Sequence, residues 1–131
     1  DMVYISDYAH HPEEIRQSIL SIKQLYEGRR IKAIFQPHLY SRTKDFYQEF
    51  ADALSLLDDV VLLDIYPARE EPIPGVTSQL IYDNLRPGIS KHMCQKQDIL
   101  DYVKAKDFDV LVTLGAGDIE NYAEEITEIL N

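Results

Sequence analysis

The stretch Phe108-Asp109-Val110-Leu111-Val112-Thr113-Leu114-Gly115-Ala116-Gly117-Asp118 decides the fold. An apolar run (108–114) ends in a glycine turn, after which apolar residues recur at helical spacing: Ile119, Tyr122, Ala123, Ile126 and Leu130. Strand, tight turn and amphipathic helix together form the unit of a parallel sheet, whose strands are apolar throughout because helices cover both faces. Outward from that stretch the unit repeats. Runs at 2–6, 31–36 and 60–65 read as strands, and a short one is expected at 89–93. Helical faces follow at Ile15, Ile19, Ile22 and Tyr26, and again at Phe46, Phe50, Ala53, Leu54 and Leu57. Weaker helices are expected over 77–85 and 96–104. The pattern predicts an α/β chain: one three-layer α/β/α Rossmann-like domain over 1–131, with a mostly parallel sheet of about five or six strands.

Local punctuation agrees. Pro12 suits a first helical position, and Glu13 and Glu14 follow where the helix dipole favours anions. Pro37, Pro67, Pro72, Pro74 and Pro87 all fall in connections, as the sheet requires.

Composition removes several classes of function. The 131 residues carry 13 Lys+Arg against 23 Asp+Glu, a net charge of −10, which argues against a nucleic-acid partner because phosphate neutralisation needs a basic face. Apolar residues make up 45%, enough for a packed core. The longest apolar run, 60–63, is far too short for a membrane span, and no secretory leader is expected. The single Cys94 can form neither an internal disulfide nor a cysteine-based zinc site, so a reducing, cytoplasmic setting is expected and the thiol reads as buried and inert. Opening on Asp1 instead of Met, the chain is expected to be a piece of a longer protein.

In an open parallel sheet, ligands bind beyond the carboxyl ends of the strands. Those ends read Asp7-Tyr8-Ala9-His10-His11-Pro12, Pro37-His38-Leu39-Tyr40-Ser41-Arg42, Tyr66-Pro67-Ala68-Arg69-Glu70-Glu71 and Gly115-Ala116-Gly117-Asp118. Three of the four histidines therefore share one rim. His11 and Asp118 also stand where helix caps belong. Several chemistries drop out. Gly115-x-Gly117 lacks the third glycine of a dinucleotide fingerprint, since Glu120 occupies that position, and no Gly-x-x-x-x-Gly-Lys-Ser/Thr or Gly-x-Ser-x-Gly exists. A metal site from Asp7, His10, His38 and Asp64 has no local spacing behind it, and none is expected. What remains suits a small amino acid: an arginine fork for a carboxylate, with imidazoles for an amine. A flavodoxin-like signalling module with Asp64 as phosphoacceptor is the alternative from another class, but no Lys follows the last strand.

Four segments, in order, resemble the Mur ligase family: Asp7-Tyr8-Ala9-His10-His11-Pro12-Glu13-Glu14, Phe35-Gln36-Pro37-His38-Leu39-Tyr40-Ser41-Arg42-Thr43, Asp64–Glu70 with Pro72-Ile73-Pro74-Gly75, and Leu114-Gly115-Ala116-Gly117-Asp118-Ile119. The second segment is similar to the L-alanine-adding branch and separates it from the branch that recycles murein tripeptide. The resemblance implies the C-terminal, amino-acid-binding domain of an ATP-dependent ligase of peptidoglycan precursor synthesis. It would join L-alanine to UDP-N-acetylmuramate through an acyl phosphate. ATP and Mg2+ would be held mainly by a central domain, and the chain's partners would be its own N-terminal and central domains. Asp7 would contact the nucleotide ribose. Tyr8, His10, His38 and Arg42 would surround the amino acid, with Gly115 and Asp118 nearby. His10 and His38 would orient or deprotonate its amine. Ser6, Ala9 and Leu39 depart from the family pattern, and Leu39 removes a positive charge beside His38.

Overall fold

The computed structural model describes residues 2–131. Five strands, β1 (Val3–Asp7), β2 (Ile31–Phe35), β3 (Asp59–Leu63), β4 (Ser90–Cys94) and β5 (Val110–Leu114), form one all-parallel sheet in the order β1-β5-β2-β3-β4. β2, β3 and β5 are buried along their whole length, while the edge strands β1 and β4 are part-exposed. Alternate residues feed two separate cores. Ala33, Phe35, Val60, Leu62, Val110 and Val112 pack with the helices α1 (Pro12–Leu25), α2 (Tyr40–Leu54) and α3 (Gln79–Asp83). Ile34, Val61, Leu63 and Leu111 pack with α4 (Ile99–Lys104) and α5 (Ala123–Leu130). The expected three-layer α/β/α architecture is therefore present, with five strands. Among the described residues no helix is long and apolar enough to cross a membrane.

Chain order runs β1 to β4 in one direction across the sheet, then returns to insert β5 between β1 and β2, and the covering helices change face at that return. This is the topological switch at which parallel sheets open a crevice. The loops after β1, β5, β2 and β3 all border it.

Three expectations change. α2 begins at Tyr40, six residues before its apolar period, because the hydroxyl and the amide of Thr43 both bond to the Leu39 carbonyl (3.0 and 3.2 Å) and close a first turn that the apolar pattern does not mark. Arg42 therefore stands on a helix and not in a loop. Phe46, expected on the buried face, is 42% exposed, since α2 kinks there (φ −126°, ψ 15°). Asp118 does not cap an α-helix: Gly117 holds the cap position, and a 3-10 turn over Asp118–Tyr122 precedes α5.

Candidate functional site

Each rim loop is fixed before it presents a side chain. After β1, Asp7 Oδ1 accepts the Ala9 amide (2.9 Å) and turns the chain toward α1. Glu14 Oε1 then accepts the amides of His10 (3.2 Å) and His11 (3.1 Å), satisfying donors that a helix start leaves open and holding this carboxyl below its usual range. His11 is thus the cap residue of α1, as its position suggested. Tyr8 is left 55% exposed, and His10 is half-buried with Nδ1 3.1 Å from the Tyr8 carbonyl.

After β2 the chain passes through Leu39 at φ 73°, ψ 136°, a conformation that costs a branched side chain on the order of 1–3 kcal/mol. The surrounding bonds impose it. The Leu39 amide donates to the Tyr66 carbonyl (2.8 Å), and the Tyr66 amide to the Pro37 carbonyl (2.8 Å). His38 and Tyr66 form a lone parallel bridge beyond the sheet, and their rings stack at 5.6 Å and 12°. Glu70 reinforces the same junction by accepting both the amide and the hydroxyl of Ser41, bonds that lower its own pKa.

The result is a convergence. The ring of His38 lies 5.9 Å from that of His10, which lies 5.9 Å from the ring of Tyr8. Arg42, one turn along from His38, places a guanidinium NH1 3.2 Å from His38 Nδ1. Burial, and then the Arg42 charge, push the His38 pKa below the ordinary value of 6.5. Tyr8 and His10 from the loop after β1, His38 from the loop after β2 and Arg42 from the first turn of α2 therefore come together across the end of β5.

Gly115, Asp118 and Asp7 sit differently. Gly115 is buried at φ 139°, with its amide on the Asp7 carbonyl (3.2 Å), and a Cβ there would meet the Gln36 carbonyl at 2.8 Å. At Gly117 a Cβ would lie 2.5 Å from Gln36 Oε1 and 2.7 Å from Tyr66 Cγ. Both glycines are thus required by protein packing, with no ligand needed to explain them. Asp118 accepts bonds from Gln36 Nε2 and Lys96 Nζ; burial raises its pKa, but these two bonds outweigh it and hold the carboxyl low. The glycine turn packs on Gln36 and Tyr66, and Gln36 also accepts the Ile119 amide (2.9 Å).

Sequence reasoning passed over Tyr66, Gln36, Glu70 and Lys96 as working parts. Gln36 immediately follows β2 and Tyr66 lies three residues past β3, and that placement was the available signal. Cys94 is half-buried where a buried thiol was expected; desolvation, then Asp98 and Asp64, raise its thiol to about 11, so it stays protonated at neutral pH.

His10, His11 and Glu14 bring one possible metal-ligand atom each within 4.8 Å of one another. Glu14 is already committed to two backbone amides, and a helix N-terminus disfavours a cation, so the trio reads as a cap. Two of its three donors are imidazoles, the wrong set for Mg2+, which demands oxygen ligands. With Asp7, Asp118 and Glu70 also bonded within the protein, the residues present do not fit a Mg2+ site.

Comparison with known proteins accords with this rim. Residues 1–117 match the family described as Mur ligase, glutamate ligase domain. A UDP-N-acetylmuramate–L-alanine ligase of Phocaeicola vulgatus is 65% identical over 130 residues, covering 99% of this chain and 28% of that protein. The crystal structure of the UDP-N-acetylmuramate-alanine ligase of Thermotoga maritima superposes with a TM-score of 0.72 at 31% identity, over 95% of this chain and 26% of that one. A murein peptide ligase from Psychrobacter arcticus shares the fold at 21% identity (TM-score 0.71; 97% of this chain, 27% of that one). The chain spans about 28% of the length of the curated relatives it matches. On a match that covers nearly its whole length, the chain belongs to the Mur ligase family, as its glutamate ligase domain.

Proposed function

We propose that this chain is the amino-acid-binding part of an ATP-dependent ligase that adds L-alanine to UDP-N-acetylmuramate in cytoplasmic peptidoglycan precursor synthesis. The carrying observation is the cluster of Tyr8, His10, His38 and Arg42 at the switch point of the sheet. Arg42 has five N–H donors, of which His38 engages one, leaving a fork for the carboxylate of a small amino acid. The imidazoles face the space where its amine would lie, and Tyr8 offers an exposed ring to close it. Asp7 Oδ2 is the oxygen left for a ribose hydroxyl. The 65% identity to an alanine ligase favours this reading over the murein peptide branch, whose 21% likeness speaks for the fold alone.

ATP, Mg2+ and the sugar nucleotide would be held mainly by other parts of the longer enzyme: this sequence carries no phosphate loop, and the described residues offer no carboxylate set for the cation. Its own contribution is to hold the amine against the activated acyl carbon, the effect that supplies most of the rate in such couplings. The test is a coupled assay of phosphate release. The longer enzyme carrying this chain should turn over with UDP-N-acetylmuramate, L-alanine and ATP, and the 131-residue chain alone should not. Turnover by the chain alone, or turnover that requires a peptide in place of alanine, overturns the reading.

A further inference from the structure

Away from the rim, an open groove of about 590 Å3 runs between the start of α1 and the flank of α2, a volume in the range of small-molecule sites. Pro12, Phe46, Ala53 and Leu56 give it an apolar lining. Phe46 is 42% exposed because α2 kinks at that residue, so the kink turns a core-type ring out into the groove. A concave apolar surface with an exposed ring is costly to hydrate and marks a place where something binds.

Charge selects the occupant. The groove also carries Glu13, Glu49 and Asp52 against one cation, Arg16. Arg16 is already paired with Glu13 at 3.4 Å. Asp52 accepts only the side-chain amide of Gln48 (3.2 Å), and Glu49 has no bonded partner among the described residues. Asp52 also stands in the last turn of α2, the negative end of the helix dipole, and that turn holds no basic residue. An anion would meet two uncompensated carboxylates, and a neutral hydrocarbon would strip water from them without replacing it. A cation satisfies both. Glu49 lies one turn beyond Phe46, about 5 Å along the helix axis, and this sets the spacing between an apolar ring and its positive group.

We propose that this groove is an effector site for an organic cation with an aromatic body: the ring packs on Phe46 and Pro12, and the ammonium lies beside Glu49 and Asp52. The proposal goes beyond the proposed function and does not depend on it. Two contacts join the groove to the rim. His11 lines the groove, and its ring packs on that of His10 at 4.7 Å and 39°. Phe46 stands one turn along α2 from Arg42, at the kink. A ligand seated in the groove presses on both, so its occupancy displaces His10 and Arg42 together.

The probe is 2-phenylethylammonium, with 2-phenylethanol and phenylacetate as its neutral and anionic counterparts. In 1H–15N spectra of the 131-residue chain, the cation should shift the amides of Phe46, Glu49 and Ala53. With the same midpoint it should shift the His10 ring and the Arg42 side chain. A Kd on the order of 1 mM is expected for so small a ligand. The alcohol should bind about two- to fivefold more weakly and phenylacetate about tenfold more weakly, the range for exposed charges, and added salt should narrow both gaps. Glu49→Gln should remove most of the preference for the cation while the alcohol binds as before. Phe46→Ala should abolish measurable binding of all three with little change in melting temperature. In the longer enzyme, saturating cation should raise KM for L-alanine by about fivefold. Equal binding of the three probes, shifts that survive Phe46→Ala, or binding that leaves His10 and Arg42 unmoved overturns the inference. So does a probe that binds the 131-residue chain but not the longer enzyme, since another part of that protein would then cover the groove. An enzyme that takes the probe with these shifts but does not turn over alanine overturns the proposed function instead.

Discussion

The two ends of the parallel sheet use polar residues in opposite ways. At the amino end, Lys32 and Asp59 are almost completely buried, and nearly every group is bonded to another protein group. Lys32 Nζ reaches Asp107 (2.6 Å) and Asp59 (3.7 Å); Arg30 reaches Asp59 (3.1 Å), the Asp107 carbonyl (2.8 Å) and, through its amide, Asp109 (2.8 Å). At the carboxyl end, the bonds fix the backbone and the ring planes but leave the two imidazole Nε2 atoms and most of the Arg42 fork without a hydrogen-bond partner among the described residues, and the Tyr8 ring exposed. A region that saturates its polar groups internally is built for stability, and one that orients them and leaves them open is built to receive a ligand.

That contrast breaks first at Lys32. Lys32→Met should leave the buried Asp59, whose Oδ1 already lacks a partner among the described residues, with only Arg30 as a cationic partner, and cost about 1–3 kcal/mol. Thermal unfolding should report the loss, while the chemical shifts of His10 and His38 stay unchanged. A comparable loss of alanine binding with no loss of stability would mean that the two ends are not separable.

Gly117→Ala probes the other end. The new Cβ would collide with the Gln36 side chain and the Tyr66 ring, an overpacking expected to cost about 1–3 kcal/mol by denaturant unfolding. It should also displace the His38 resonance, because the Tyr66 ring cannot stay stacked and yield. Glu14→Ala removes the acceptor for two backbone amides and should cost about 0.5–2 kcal/mol, with His10 losing its fixed orientation.

The smallest effect is on pH dependence. His38 has a folded pKa below its unfolded value, so the folded state binds that proton less readily than the unfolded chain. Its contribution is fully present above about pH 6.5 and is lost as pH falls through the lower folded pKa. An NMR titration should place the His38 midpoint below the ordinary value of 6.5, and a His38→Gln chain should lose less stability on mild acidification.

Much of this was legible in the sequence, for identifiable reasons. The buried strands announce themselves because helices on both faces force continuous apolar runs, as in Val110–Leu114. The rim histidines and Arg42 were found because loops after parallel strands carry ligands. The early start of α2 was not legible, since Tyr40–Asp45 is polar and its first turn is set by Thr43 bonding back to Leu39. Nor was the positive φ at Leu39: nothing in a leucine signals it, and the bridge to Tyr66 imposes it from 27 positions along the chain. The resemblance sets Gly115 near the amino acid, and nothing in the sequence says what the two glycines pack against. Their tight contacts with Gln36 and Tyr66 are tertiary and carry no local mark.

On the proposed function, the guanidinium of Arg42 would supply a permanent positive charge for the amino acid's carboxylate. Arg42→Ala in the longer enzyme should raise KM for L-alanine by the equivalent of about 2–4 kcal/mol, while KM for ATP and the melting temperature change little. An unchanged KM for alanine together with a raised KM for ATP would contradict the account, and would assign this rim to the nucleotide.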